Sequence, residues 1–127
     1  METASDMINC IIVGLGGFIG TILRYLIGLI PVNETTTFPI KTFIINIVGA
    51  FAIGCIAALV SKNSALSPKL ILFLKVGVCG GFTTFSTFAL ETADLMKGGY
   101  GATALLYVIL SVVLGISMIY VSDMVIR

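Results

Sequence analysis

The chain contains no histidine at all, and only 10% of its 127 residues are charged. Without histidine the commonest general base and metal ligand is missing. No other nucleophile–base pair and no metal-ligand cluster takes its place, which argues against an enzyme. Cysteine is scarce too: Cys10, Cys55 and Cys79 sit in separate apolar segments with no C-x-x-C spacing. They read as small hydrophobes and leave the redox compartment undetermined. A net charge of +1 gives no case for nucleic-acid binding. A basic n-region is also lacking, since Glu2 and Asp6 precede the first apolar run, so a secretory signal is not expected.

What fills the chain instead is apolar: 58% of residues are hydrophobic, and the mean hydropathy is +1.17. That composition excludes an ordinary soluble domain. Charges leave long gaps at Met7–Leu23, Thr42–Ser61, Val76–Leu90 and Gly98–Ser122. A spanning helix needs about 20 mostly apolar residues. The second and fourth gaps meet this outright, the first once Arg24 sits near a helix end, and the third once Lys75 snorkels. Four transmembrane helices follow, near Met7–Leu29, Thr42–Val60, Leu70–Leu95 and Ala102–Val121. The connections Ile30–Lys41, Ser61–Lys69 and Met96–Gly101 carry the residues expected of turns. One of them holds a glycosylation sequon, Asn33-Glu34-Thr35, which matters only in a lumenal loop.

Four spans place Lys62, Lys69, Lys75 and Arg127 on one side, and Arg24, Lys41 and Lys97 on the other. So slight a bias does not choose an orientation by the positive-inside rule. Two readings stay open: a weakly specified single topology, or chains that insert both ways and pair antiparallel. The second would supply, from two copies, the inverted symmetry that many transporters build from internal repeats.

The stretch Gly80-Gly81-Phe82-Thr83-Thr84-Phe85-Ser86-Thr87-Phe88 is the densest anomaly in the apolar pattern. Glycines weaken the helix there, while Thr83, Thr84, Ser86 and Thr87 can satisfy freed backbone or line a path. The third helix is therefore predicted to break mid-membrane. A break would expose carbonyls near Gly80–Thr83 as hard oxygen ligands for a small cation such as Na⁺. Phe85 and Phe88 are neighbours on one face of the following turn. They are either packing residues or inward ring edges, whose positive quadrupole potential suits a bare anion. Glu91, a turn beyond, faces either a path end or the interface.

In the first span, Gly14-Leu15-Gly16-Gly17-Phe18-Ile19-Gly20 fails as a dinucleotide fingerprint, because Ile19 stands at the third glycine position. Gly16 and Gly20 instead form a G-x-x-x-G packing face, with Arg24 one turn on. That arginine is either a snorkelled topology charge or part of an electropositive vestibule. In the second span, Asn46 shares a face with Ala50, Gly54 and Ala58. Its amide makes an interhelical hydrogen bond or offers uncharged donors to an anion that must later be released. Tyr107, Ser111 and Gly115 give the fourth span one mildly polar face.

The motifs Gly16–Tyr25 (G-G-x-x-G-x-x-x-R-Y), Thr42–Gly54 (T-x-x-x-N-x-x-G-x-F-x-x-G) and Gly77–Phe88 (G-x-C-G-G-F-T-T-F-S-T-F), in this order, resemble the Fluc, or CrcB-type, fluoride channels. The resemblance implies that residues 1–127 form one four-helix channel domain in the cell membrane. It implies a dual-topology antiparallel homodimer with two pores for passive fluoride export and a structural Na⁺ at its centre. Carried over by position, Phe85 and Phe88 face the pore, Asn46 is the pore amide, and Thr84 is a pore residue beside them. Gly80 and Thr83 give carbonyls to Na⁺, Tyr107 and Ser111 line a polar track, and Arg24 lines the vestibule. Ala50 and Gly115 stand where the family often has polar residues, so the track is thinner here. The rival class, a proton-coupled small multidrug-type transporter, needs an embedded carboxylate; the first span has none, and Glu91 lies late in the third.

Overall fold

The computed structural model describes residues 3–32, 36–63 and 65–127; the sequon at Asn33–Thr35 lies outside them. Among the described residues all regular structure is helical. Four spans are long and apolar enough to cross a membrane: Thr3–Leu29, Ile40–Lys62, Pro68–Lys97 and Gly101–Ile126. The first two are α1 (Thr3–Leu29) and α2 (Ile40–Lys62). The third span opens as α3 (Pro68–Ile71), runs through a π-wound segment Leu72–Cys79, and ends its first half as α4 (Gly80–Phe82). It leaves helical geometry at Thr83 and Thr84 and resumes as α5 (Phe85–Lys97). The last span is α6 (Gly101–Ile126). All four predicted spans are present, each longer than its sequence estimate, and the predicted break lies at Thr83–Thr84.

Local chemistry explains the ends. Pro68 occupies the first turn of α3, where its missing N–H costs nothing. The α5–α6 corner turns on Gly99, whose φ of 86° is comfortable only for glycine. There Tyr100 N–H reaches Leu95 O at 2.8 Å and Gly99 N–H reaches Met96 O at 3.3 Å. These are the paired bonds that close a helix C-terminus through a left-handed glycine.

Lipid gives helices no hydrophobic reason to associate, so close backbone contact must hold them. Gly16 and Gly20 of α1 are buried against the π-wound segment and α4. A Cβ on Gly20 would meet the Val78 carbonyl and lie 2.8 Å from Phe82 N, and one on Gly77 would lie 2.9 Å from Gly16 Cα. One on Gly81 would lie 2.6 Å from Gly17 O. The predicted G-x-x-x-G face thus has a glycine partner face, Gly77 and Gly81, at the same four-residue spacing. On the other side α2 packs on α6, where Gly54 leaves room for the Ser122 hydroxyl, itself bonded to Ile119 O at 2.8 Å.

Lysines close the helix ends. Lys41 Nζ donates to Gly28 O and Lys62 Nζ to Ile126 O, both at 2.7 Å, and Lys69 Nζ donates to Asn9 Oδ1 at 3.3 Å. Cations suit the negative end of a helix dipole. These contacts gather the start of α1, the end of α2, the start of α3 and the end of α6 at one face, as up-and-down spans require.

The π winding is the one feature of the fold with no forerunner in the sequence analysis. Its bonds join residues five apart and widen the turn, an arrangement that is rare and often found at functional sites. Phe73 and Val78 stand at that spacing, and Gly16 lies against both their backbones. A side chain there would fill the space that the widened turn occupies.

Candidate functional site

A break in a membrane helix leaves peptide groups that must find other partners. Here each diversion can be traced. Thr83 N–H and Oγ1 both turn back to Cys79 O, at 3.1 and 2.8 Å. A continuous helix would send the Thr84 N–H to Gly80 O. It goes instead to Asn46 Oδ1 at 2.8 Å, while Asn46 Nδ2 donates to Thr84 O at 3.0 Å. The side-chain amide therefore pairs with both polar groups of Thr84, from α2, and spans the discontinuity. From α1, Arg24 Nε donates to Gly81 O at 3.2 Å. Arg24 thus reaches the break from the α1 side.

Thr84 also starts α5. Its Oγ1 accepts the Thr87 N–H at 3.2 Å, an N-cap bond, and donates to Thr87 Oγ1 at 3.1 Å. This takes the amide that a continuous helix would have aimed at Thr83 O. Gly80 and Thr83 are thus the two residues whose carbonyls lose their helical donors to named competitors, Asn46 and the Thr84 hydroxyl. Such carbonyls are hard, uncharged oxygen donors of the kind that hold alkali cations, so the residues present fit Na⁺.

Asn46, Gly80, Thr83, Thr84, Phe85 and Phe88 line one groove of about 330 Å³. Phe85 is 78% exposed and forms its rim. The Phe85 and Phe88 rings are 5.8 Å apart at 52°, and Phe88 meets Tyr107 at 5.0 Å and 64°. Tyr107 meets Phe38 at 5.4 Å and 76°. Tilted and edge-on pairs like these turn ring edges, not only faces, toward neighbours. Among the described residues no acidic or basic side chain lines the groove; its one thiol, Cys79, is buried. Its polar lining is hydroxyls, carbonyls and the Asn46 amide, which keeps one N–H beyond its bond to Thr84.

The structure brings six of the sequence-predicted site residues into this groove and sets the rest around it. Tyr107 and Ser111 stand one turn apart on α6, and Tyr107 packs against Phe88. Tyr107 is fully buried, and its hydroxyl donates to Glu91 Oε1 at 3.0 Å. Ser111 Oγ is buried and makes no hydrogen bond among the described residues. Arg24 reaches the break from the α1 side. Sequence reasoning did not single out Thr42, whose hydroxyl donates to Glu91 Oε2 at 3.1 Å. Thr42 stood only as the first residue of the T-x-x-x-N motif, one helical turn before Asn46 on the same face, with no role assigned.

With this geometry in place, likeness to known proteins becomes informative. The family model of the CrcB-like proteins (Camphor Resistance, CrcB) matches residues 11–122. A protein of Ruminiclostridium cellulolyticum called fluoride-specific ion channel FluC is 46% identical over 108 residues, covering 84% of this chain and 83% of its own. The protein of the same name from Chlorobaculum tepidum is 44% identical over 114 residues, covering 90% of each chain. That from Methylobacterium is 43% identical over 121 residues, covering 95% of this chain and 98% of its own. Matches at this identity, running through all four spans and the broken third helix, leave one assignment: the chain belongs to the CrcB family.

Proposed function

We propose that this protein is a fluoride-selective channel of the cell membrane that exports fluoride passively. The observation that carries this reading is the broken third helix, clamped by Asn46, which sets Phe85 and Phe88 along a groove lined by no carboxylate, lysine or arginine among the described residues. An anion path must attract the ion and then release it. Ring edges and a single amide N–H provide weak, uncharged attraction, whereas a lysine in the groove would hold the ion. Relatives named as fluoride-specific channels support the same ion. Proton-coupled exchange is disfavoured, because the carboxylate of the third span, Glu91, is engaged by two hydroxyls.

In this reading two copies pair antiparallel, and each contributes its exposed groove to a pore. The near-equal lysine and arginine counts on the two faces support dual insertion. Na⁺ at the centre would be held by the Gly80 and Thr83 carbonyls and would fix the two breaks by charge. Thr84 and Asn46 shape the wall, Tyr107 and Ser111 continue the hydroxyl lining along α6, and Arg24 adds positive potential beside the break.

Efflux from liposomes tests the reading directly. Fluoride should leave rapidly without a proton gradient; absent fluoride flux, or chloride passing equally well, would defeat it. Phe85→Ile and Phe88→Ile should each lower fluoride efflux about tenfold, since a ring contact contributes up to about 1.5 kcal/mol, with the protein still monodisperse. Normal conduction by both variants would make the rings mere packing. Two lysines added at one membrane face should bias insertion and reduce function. Full activity from uniformly oriented chains would rule out the antiparallel pair.

A further inference from the structure

A helix end leaves its last four carbonyls without backbone donors, and the end of α4 divides them unequally. Cys79 O accepts the Thr83 N–H and hydroxyl, and Gly81 O accepts Arg24 Nε at 3.2 Å. A Cβ on Gly81 would meet α1, whereas at Gly80 no described residue lies within 4 Å, and Gly80 lines the open groove. One side of the break thus holds a guanidinium, and the other holds the carbonyls fit for a cation. Arg24 is half-buried within the first span, and among the described residues no carboxylate pairs with it. Its charge therefore acts on the break undiminished. The bond to Gly81 O does not need that charge, since a neutral amide N–H can donate as well.

We propose that Arg24 determines which cation the break accepts, admitting Na⁺ and rejecting a divalent ion of similar size such as Ca²⁺. This rests on the reading of the Gly80 and Thr83 carbonyls as Na⁺ ligands. Both ions take hard oxygen donors. Carbonyls and water alike attract the divalent ion more strongly, so the type of ligand does not by itself separate the two. A fixed positive charge does, because its repulsion scales with the charge of the ion and is doubled for Ca²⁺. Calcium sites set their affinity through the number of charged ligands. Here, among the described residues, no carboxylate lines the groove, and Arg24 adds a cation beside it. In the antiparallel pair the arginines of both copies act on the one central ion.

Thermal stability of the full chain in a neutral detergent reads cation binding without any flux measurement. The probes are NaCl and CaCl₂, each titrated into choline chloride at constant ionic strength. Wild type should be stabilised by Na⁺, and by Ca²⁺ only at far higher concentration; equal response to both ions overturns the proposal. Arg24→Gln keeps a donor for Gly81 O but loses the charge. Its Na⁺ midpoint should fall by about tenfold and its Ca²⁺ midpoint by about a hundredfold, the square, because the repulsion removed is twice as large. An arginine that merely capped the helix end would give the reverse: weaker Na⁺ binding in the variant and no gain for Ca²⁺. That result defeats the proposal, and so does an equal gain in Lys62→Gln, which removes a charge held at Ile126 O, on the membrane face. Arg24→Lys keeps the charge and should keep the wild-type preference; admission of Ca²⁺ by this variant would show that charge is not the cause. Should Arg24→Gln fail to fold, Arg24→Met makes the same comparison. Wild type with no Na⁺-dependent gain would instead refute the Na⁺ reading itself, before any variant is compared.

Discussion

Asn46→Asp should reduce fluoride efflux to the background of protein-free liposomes. Aspartate keeps an acceptor for the Thr84 N–H but has no donor for Thr84 O, so two oxygens face each other across the break. Leaving a buried carbonyl unpaired costs about 1–3 kcal/mol. Placing a carboxylate within a span costs about 3 kcal/mol more. The added charge also lies in the groove that Phe85 and Phe88 line. At about 4 Å and an effective dielectric constant near 20, two like charges repel by about 4 kcal/mol, which alone lowers anion occupancy by roughly a thousandfold. Asn46→Ala, which removes the clamp without adding charge, should lose less flux and more thermal stability. The check is efflux alongside size-exclusion profiles. An aspartate variant that conducts at the wild-type rate would mean that Asn46 lies off the path and the break holds without it.

The second large effect concerns folding. Gly20→Val should prevent recovery of a monodisperse protein, whereas Gly28→Val, on the same helix, should be tolerated. At Gly20 a Cβ meets the Val78 carbonyl and comes within 2.8 Å of Phe82 N, while at Gly28 no described residue lies within 4 Å. Both obstacles at Gly20 are backbone, so no side chain can swing aside, and α1 must separate from the π-wound segment and α4. Overpacking a tight contact typically costs about 1–3 kcal/mol. The loss is larger here because close packing is the main attraction between helices in lipid. Separation would also withdraw Arg24 from Gly81 O and disturb the break itself. Size-exclusion chromatography in mild detergent decides the matter: a normal peak for Gly20→Val would show that the glycine contact is dispensable.

These two positions also mark what sequence reasoning can reach. Gly16, Gly20, Asn46 and the Gly80–Phe88 cluster were all legible, because each violates the expectation for a lipid-facing helix. The break was legible for the same reason. Its bond partners were not. That Thr84 takes both arms of Asn46, or that Arg24 turns to Gly81 O, depends on how α1 and α2 sit beside the third span, and no local pattern encodes that. Thr42 and Glu91 show the limit clearly. Each looks ordinary near a membrane boundary, and they meet only because α2, α5 and α6 converge around Phe88 and Tyr107.

Composition and periodicity by themselves determined the membrane class, the four spans, the near-balanced charge of the two faces and the place of the break. The reason is that lipid penalises charge and unpaired backbone so heavily that departures from an apolar helix stand out residue by residue. Tertiary structure alone decided the π winding of Leu72–Cys79, the diversion of the Gly80 and Thr83 donors, and the seating of Glu91 between two hydroxyls. Each of these is a choice of partner among several chemically equal ones, made by distances of an ångström or two between helices that are far apart in the chain.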